Sequence, residues 1–399
     1  MERSLEFAES FSIRGFMAPG RYIQGRGILS HLGKLVRRFG RKALLLADDV
    51  VWRIVKGVVT RSLSDHGIEY IYVNFRGECS YEEIRRVAKN ALDNHVDMVI
   101  GLGGGKAIDT TKAVAIPNDI VTVTVPTIAS TDAPTSSISI IYSEDPPNRM
   151  IDIMVHPRNP DMVIVDTDVM VKAPPRYLAS GMGDASSHYW ETKTILQGVK
   201  GGFNFVFMDV EAGKGRDPLK PFELGHIFAK RAWEILQAHG VSALEANRVK
   251  SVTPSFELVV YANTLLSGLA FENGGTALAH ALAGMGFATL EDKMRPPPTH
   301  GELVAFSTLV ELVAEADMHT IKEYVRWAHS VGLPQTLKEL NLTEISDEDI
   351  YRVAERTLRS FEIQYIPYEL SVETLVDLIK YADHIGNVIS QTCPRASYD

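Results

Sequence analysis

Cysteine is nearly missing from this 399-residue chain: Cys79 and Cys393 are its only two, far apart and without metal-type spacing. A disulfide-stapled scaffold and a thiolate metal site are thereby excluded. Positive charge is also in deficit, with 41 Lys and Arg against 50 Asp and Glu, a net charge of −9 and no clustered basic stretch. Binding to nucleic acid or to an anionic membrane would need Lys and Arg to neutralise phosphates, so small-molecule chemistry is favoured. No segment reaches the roughly 18 to 20 apolar residues of a membrane span. The start, Met1-Glu-Arg-Ser-Leu-Glu-Phe-Ala-Glu-Ser, has no apolar signal core, and a cytoplasmic protein is expected. Neither a fixed-period repeat nor a low-complexity tract occurs. What is present, 45% hydrophobic and 23% charged residues, is ordinary globular composition with length enough for two domains.

Short apolar strands alternate with helices in the first part of the chain. Lys42–Ala47, Tyr70–Phe75, Val96–Ile100, Val121–Val125 and Met162–Asp166 read as strands. Tyr81–Leu92 reads as a helix, with Ile84, Val87, Ala88 and Ala91 on one face. Strands of this kind separated by helices predict a parallel sheet covered on both sides. After Val171-Lys-Ala-Pro-Pro-Arg the pattern becomes helix after helix, including 255–266, 301–312 and 372–382. The expected organisation is an α/β domain over 1–173 and an all-α domain over 174–399. Within the latter, the Gly- and Pro-rich stretch from Gly198 to Pro221 reads as a long surface loop.

Chemistry concentrates at the ends of strands. The apolar run ending at Leu102 leads into Gly103-Gly104-Gly105-Lys106 and then a helix containing Asp109. Glycines admit an anion close to the backbone, and the helix start offers free N–H groups, so the turn reads as a phosphate cradle. Lys106 adds a positive charge. A loop from Val125 to Tyr142, rich in hydroxyls and carrying Asp132, leaves another strand end, where α/β sheets place ligands. Asp48, at the end of the first strand, could hold ribose hydroxyls or cap a helix. In the helical half, Asp184, His280 and His300 would make an open catalytic metal site if folding brings them together.

The chain resembles the glycerol dehydrogenase branch of the iron-containing, group III alcohol dehydrogenases. The likeness rests on Pro19-Gly-Arg-Tyr-Ile-Gln-Gly25, Gly103–Lys106, Pro126-Thr-Ile-Ala-Ser-Thr-Asp132, Ser180-Gly-Met-Gly-Asp184, Asn263-Thr-Leu-Leu-Ser-Gly268 and His300-Gly-Glu302, among other matches along nearly the whole sequence. It implies a Rossmann-like nucleotide domain followed by the helical domain. It further implies NAD held by Asp48, Gly103, Gly104, Gly105, Lys106, Asp109, Thr127, Ser130, Ser136, Ile138 and Tyr142. Asp184, His280 and His300 would hold Zn²⁺, with Fe²⁺ as the alternative. Asp132 and Phe271, beside those three ligands, would meet a glycerol-like diol or hydroxyketone. The resemblance also suggests a homo-oligomer, up to an octamer. A phosphorylated substrate, as in dehydroquinate synthases or glycerol-1-phosphate dehydrogenases, is the alternative. Its only basic candidates near the ligand motifs are Lys293 and Arg295.

Three departures from the branch stand out. Ala283 and the region of Gln364 replace family histidines, and the Met294–His300 run is unusual. His188, four residues after Asp184, shares its helical face and matches the iron-dependent spacing, which makes it a candidate fourth ligand.

Overall fold

The computed structural model describes residues 15–145, 149–197, 208–209, 214–215, 223–393 and 395–398. The described residues form two compact units: one comprises those within Ala18–Met182 and Ile235–Gly268, the other those within Gly183–Glu234 and Leu269–Ser397 together with residues 15–17.

The first unit is built on a six-stranded, wholly parallel sheet. Its strands are β1 (Tyr22–Gly25), β2 (Lys42–Ala47), β3 (Glu69–Asn74), β4 (Met98–Gly103), β5 (Val121–Pro126) and β8 (Met162–Asp166). Their order across the sheet is β1-β8-β5-β4-β2-β3. Alternate side chains enter two separate cores: Ala43, Leu45 and Ala47 pack with Val55, Val59 and Leu63 on one face, Leu44 and Leu46 with Val87 and Val114 on the other. Burial on both faces is why these strands read as unbroken apolar runs. The helices α1 (Asp49–Asp65), α2 (Tyr81–Asp93) and α3 (Gly105–Ala115) connect them.

The expected loop between Val125 and Tyr142 is only partly a loop. Its last five residues form strand β6 (Ile138–Tyr142), paired antiparallel with β7 (Met150–Val155). Alternation explains this. Ser139 and Ile141 turn inward, and the Ser139 hydroxyl donates to the Asp109 carbonyl at 2.8 Å and meets His156 Nε2 at 2.8 Å.

The second unit is mainly helical. Three elements matter for function: α4 (Pro175–Gln197), which enters this unit at Gly183, α5 (Leu278–Ala281), which continues into a π-helical turn over Leu282–Gly286, and α6 (His300–Glu315). The expected 198–221 loop lies outside the described residues, apart from the paired two-residue strands Met208–Asp209 and Lys214–Gly215. No helix among the described residues is long and apolar enough to cross a membrane.

Candidate functional site

Strand order locates the nucleotide turn. From β2 the chain continues outward to β3, whereas β4 lies on the other side of β2, so the order reverses between β2 and β4. Ligands of open α/β sheets bind at the carboxyl ends of the strands flanking such a point. Leu46 pairs with Gly101, which sets Asp48 and Gly103, each two residues on, side by side at that end.

The glycines there are close-packed. A Cβ on Gly101 would lie 2.0 Å from Thr111 Oγ1, and one on Gly103 would lie 2.9 Å from the Ala107 Cβ. Helix α3 follows with Gly104 at its N-cap and no side-chain cap, leaving its first N–H groups available to an anion. Thr127 N–H donates to the Gly103 carbonyl at 3.0 Å and ties the second loop to the turn. Behind that loop, the Asn263 amide donates to the Ala129 and Leu178 carbonyls, both at 3.0 Å, and Ser180 donates to the Ser130 carbonyl at 3.3 Å.

Several of the candidate side chains already have structural partners, and Asp48 takes the capping place that its position at a strand end allowed. Asp48 is the N-cap of α1: its Oδ1 accepts from Val50 and Val51 N–H at 2.8 and 2.9 Å, while Oδ2 makes no hydrogen bond among the described residues. Lys106 pairs with Glu78 at 2.5 Å and lies 4.8 Å from the Tyr142 ring centre, so its charge is already partnered. Asp109 is buried against Lys112, 2.9 Å away. The Lys112 ammonium in turn donates to the Ala133 carbonyl at 2.8 Å and to the Ser136 carbonyl at 3.2 Å. Asp109 thus shapes the loop bearing Ser136 through Lys112, a residue that carried no motif signal. Asp132 Oδ2 accepts from the Ser267 hydroxyl at 3.5 Å, and its carbonyl accepts from Thr135 N–H at 2.9 Å.

In the second unit the separated ligand candidates do converge. Asp184 Oδ1 lies 3.3 Å from His280 Nε2 and 3.4 Å from His300 Nε2. His188 is fully buried, its ring stacked on that of His280 at 5.1 Å and 7°. Coordinating atoms of Asp184, His188 and His280 all fall within 4.8 Å of one another. Phe271 lies beside His188, with ring centres 6.2 Å apart. His300 is the more open member, placed by a capping box in which Thr299 and Glu302 exchange hydrogen bonds at the start of α6. Ala283 is buried, and Gln364 is exposed in a 3₁₀ turn.

Glu191 is the residue that sequence reasoning missed. Two turns after Asp184 on α4 and fully buried, its Oε2 meets His280 Nδ1 at 2.7 Å and accepts from the Ser187 hydroxyl at 3.0 Å. Its Oε1 accepts from Ala277 and His280 N–H at 2.8 and 3.0 Å. The available signal was the seven-residue spacing from Asp184, which repeats the same helical face.

Charge in this cluster is strongly perturbed. Burial opposes ionisation of Asp184, but His280 and His300 outweigh it and hold the carboxyl below its ordinary range. Burial is likewise overcome at Glu191, which His280 and His188 draw down to about 2. At His280, burial disfavours the cation, yet Glu191 and Asp184 raise its pKa well above the ordinary value. Two buried carboxylates that stabilise positive charge between them suit a divalent cation.

The chain matches known oxidoreductases over most of its length. The family model for iron-containing alcohol dehydrogenases matches residues 19–167. Glycolaldehyde reductase of Halobacterium salinarum is 39% identical over 373 residues, spanning 93% of this chain and 97% of that protein. Glycerol dehydrogenase of Thermotoga maritima is 38% identical over 375 residues, with the same coverage of 93% and 97%. The crystal structure of glycerol dehydrogenase from Schizosaccharomyces pombe superposes with a TM-score of 0.88 at 32% identity, covering 97% of this chain and 94% of that one. The chain belongs to the iron-containing alcohol dehydrogenase family, in its glycerol dehydrogenase branch. Nothing supports the phosphorylated-substrate alternative: Lys293 is neutralised by Asp349 at 2.6 Å, a contact that lowers the Asp349 pKa to about 2.

Proposed function

We propose that the protein interconverts a small vicinal diol and the matching α-hydroxycarbonyl compound, with NAD as hydride carrier and a divalent metal held by Asp184, His280 and His300. Glycerol is the default substrate. The similarity to a glycolaldehyde reductase extends the range to two-carbon hydroxyaldehydes. Zn²⁺ suits one carboxylate and two imidazoles, with Fe²⁺ as the alternative if His188 joins as fourth ligand. When bound, the metal supplies Lewis-acid polarisation of the reacting oxygen, and the nicotinamide exchanges hydride with its carbon.

The chain's own residues do the rest. Glu191 fixes the proton of His280 on Nδ1 and leaves Nε2 as the donor nitrogen. Asp132, steadied by Ser267, binds a substrate hydroxyl and receives or returns its proton. Asp48 Oδ2 accepts from the adenosine ribose and repels a 2′-phosphate. Gly103, Gly104 and Gly105 with the start of α3 receive the pyrophosphate, while Lys106, Thr127, Ser130, Ile138 and Tyr142 line the remaining dinucleotide, and Asp109 and Ser136 brace that loop. Phe271 supplies an apolar wall.

The observation that carries this reading is the convergence of Asp184, His280 and His300 with a buried Glu191 behind the histidine. Absorbance at 340 nm tests it, with NAD⁺, Zn²⁺ or Fe²⁺ and a panel including glycerol and ethylene glycol, and glycolaldehyde with NADH for the reverse. Reversible turnover of a diol is expected; turnover of only a phosphorylated substrate would overturn it.

A further inference from the structure

The His280 turn does not hold itself. Helix α5 runs on unbroken into a π-helical turn, Leu282–Gly286, but its start has no side-chain cap of its own. The first N–H groups of such a helix need acceptors from elsewhere. Glu191 takes those of Ala277 and His280; that of Ala279 goes to Glu311 Oε2 at 2.8 Å. Glu311 projects from α6, the helix that begins with His300. One carboxyl group therefore joins the element carrying one histidine to the element carrying the other.

The protonation of Glu311 follows from counting hydrogens. Thr194 Oγ1 lies 3.1 Å from Glu311 Oε1 and 2.5 Å from Glu315 Oε2. A hydroxyl has one proton and can donate it to only one of them. The other carboxyl must bring its own proton, or two anions face a single donor. Glu315 is the more open of the two and also accepts from the Tyr368 hydroxyl at 2.6 Å; burial raises its pKa as well, but Thr194, Tyr368 and Lys193 oppose this, so the proton of the pair falls to Glu311. Glu311 is fully buried, and burial together with Glu315 and Glu191 disfavours its anion, with Ala279 and Thr194 opposing. As an acid it donates from Oε1 to Thr194 Oγ1, whose own proton goes to Glu315, while Oε2 still accepts from Ala279.

We propose that Glu311, in its carboxylic-acid form, is a positioning residue for His280, holding the ligand-bearing turn by its backbone and sharing a proton chain with Thr194 and Glu315. The link to metal binding rests on the function proposed above; the protonation of Glu311 does not.

Glutamine mimics this acid, since its oxygen can accept from Ala279 and its amide can donate to Thr194. The full chain, stripped and reloaded, would be titrated with Zn²⁺ against a chromophoric chelator. Glu311→Gln is expected to bind Zn²⁺ within a few-fold of wild type, whereas Glu311→Ala weakens it by roughly 10- to 100-fold, the usual cost of losing a group that orients a ligand. Thr194→Val, which keeps the volume but removes the bridge, should weaken it as well, and it keeps the test open if the alanine variant does not fold. Infrared spectra at neutral pH supply a readout independent of metal. The carbonyl stretch of a protonated carboxyl is expected in wild type and absent in Glu311→Gln. The proposal is overturned if that band is unchanged, if glutamine is as damaging as alanine, or if the folded alanine variant binds Zn²⁺ like wild type. A wild-type protein that takes up no divalent metal, yet shows the infrared band, would instead defeat the functional reading.

Discussion

Replacing Glu191 by glutamine should disable the site without touching a ligand. The carboxylate accepts four hydrogen bonds at 3.0 Å or less: Ala277 and His280 N–H on Oε1, the Ser187 hydroxyl and His280 Nδ1 on Oε2. A glutamine oxygen can keep the two backbone bonds, but its amide then faces His280 Nδ1 with a donor. Nδ1 must become an acceptor, and the ring proton moves to Nε2, where Asp184 Oδ1 is 3.3 Å away to receive it. The wrong tautomer is thus fully satisfied, and Nε2–H cannot bind a metal. Restoring the competent tautomer sets donor against donor and forfeits a charged hydrogen bond of about 1.5–3 kcal/mol, which corresponds to roughly 10- to 100-fold in metal affinity.

The assay is metal stoichiometry after dialysis against a weak chelator, alongside kcat/KM at 340 nm and a thermal melt of the metal-free protein. Glu191→Gln is expected to stay folded, lose its metal at chelator concentrations the wild type withstands, and lose activity in parallel. The same Glu-to-Gln change at Glu311 should be tolerated, because one carboxyl works as a pure acceptor and the other as donor and acceptor. Wild-type metal affinity and kcat/KM in Glu191→Gln would refute the tautomer argument.

Four further outcomes follow from the same geometry. His188→Ala should lower bound metal and kcat together, and unchanged values of both would remove His188 from the metal site. Asp132→Asn should raise the KM for diols and lower kcat/KM by roughly 10- to 100-fold, the worth of a hydrogen bond to a charged group; equal loss with a simple primary alcohol would count against a hydroxyl-binding role. Asp48→Ser should retain the α1 cap and hence the melting temperature, yet relax discrimination against NADP⁺, whereas Asp48→Ala should also lose about 0.5–2 kcal/mol of stability. Burial, with Lys112 and Arg158 nearby, lowers the His156 pKa to about 3. Between that value and the unfolded pKa of about 6.5, only the unfolded chain takes up the proton, so stability is lost as pH falls through this window. From pH 7 to pH 5, urea denaturation should show the wild type losing about 2 kcal/mol more than His156→Gln; equal losses would show that His156 is not held neutral.

What the sequence disclosed and what it hid differ in physical kind. Strands such as Lys42–Ala47 and Met162–Asp166 were legible because both their faces are buried, which leaves an unbroken apolar run. Strand β1 was missed because Tyr22–Gly25 is short and only half-buried. The 138–142 strand was hidden by Ser139, which looks like a turn former but sits inward, bonded to Asp109 and His156. The glycine turn was visible because an absent side chain leaves a mark in the sequence. Lys106 and Asp109 were visible as residues but not as partners, since pairing with Glu78 or Lys112 depends on where a side chain turns, whereas the cap at Asp48 was one of the two readings its place at a strand end allowed. Convergence of Asp184, His280 and His300 was beyond periodicity altogether and came only through family resemblance.

Glu191 and Glu311 mark the boundary of that kind of reading most sharply. Each stands in a helix as an ordinary acid, and neither belongs to a glycine turn or a histidine pair; the seven-residue spacing of Glu191 from Asp184 is the one signal either leaves. Yet the start of α5 has no cap of its own, and its N–H groups, that of His280 included, are held by carboxyls from two other helices. The precision of the site therefore resides in residues that would touch neither substrate nor metal. Residues that meet the substrate can change while this brace stays as it is, so substitutions at Asp132 should move KM between substrates and substitutions in the brace should move metal affinity for all of them.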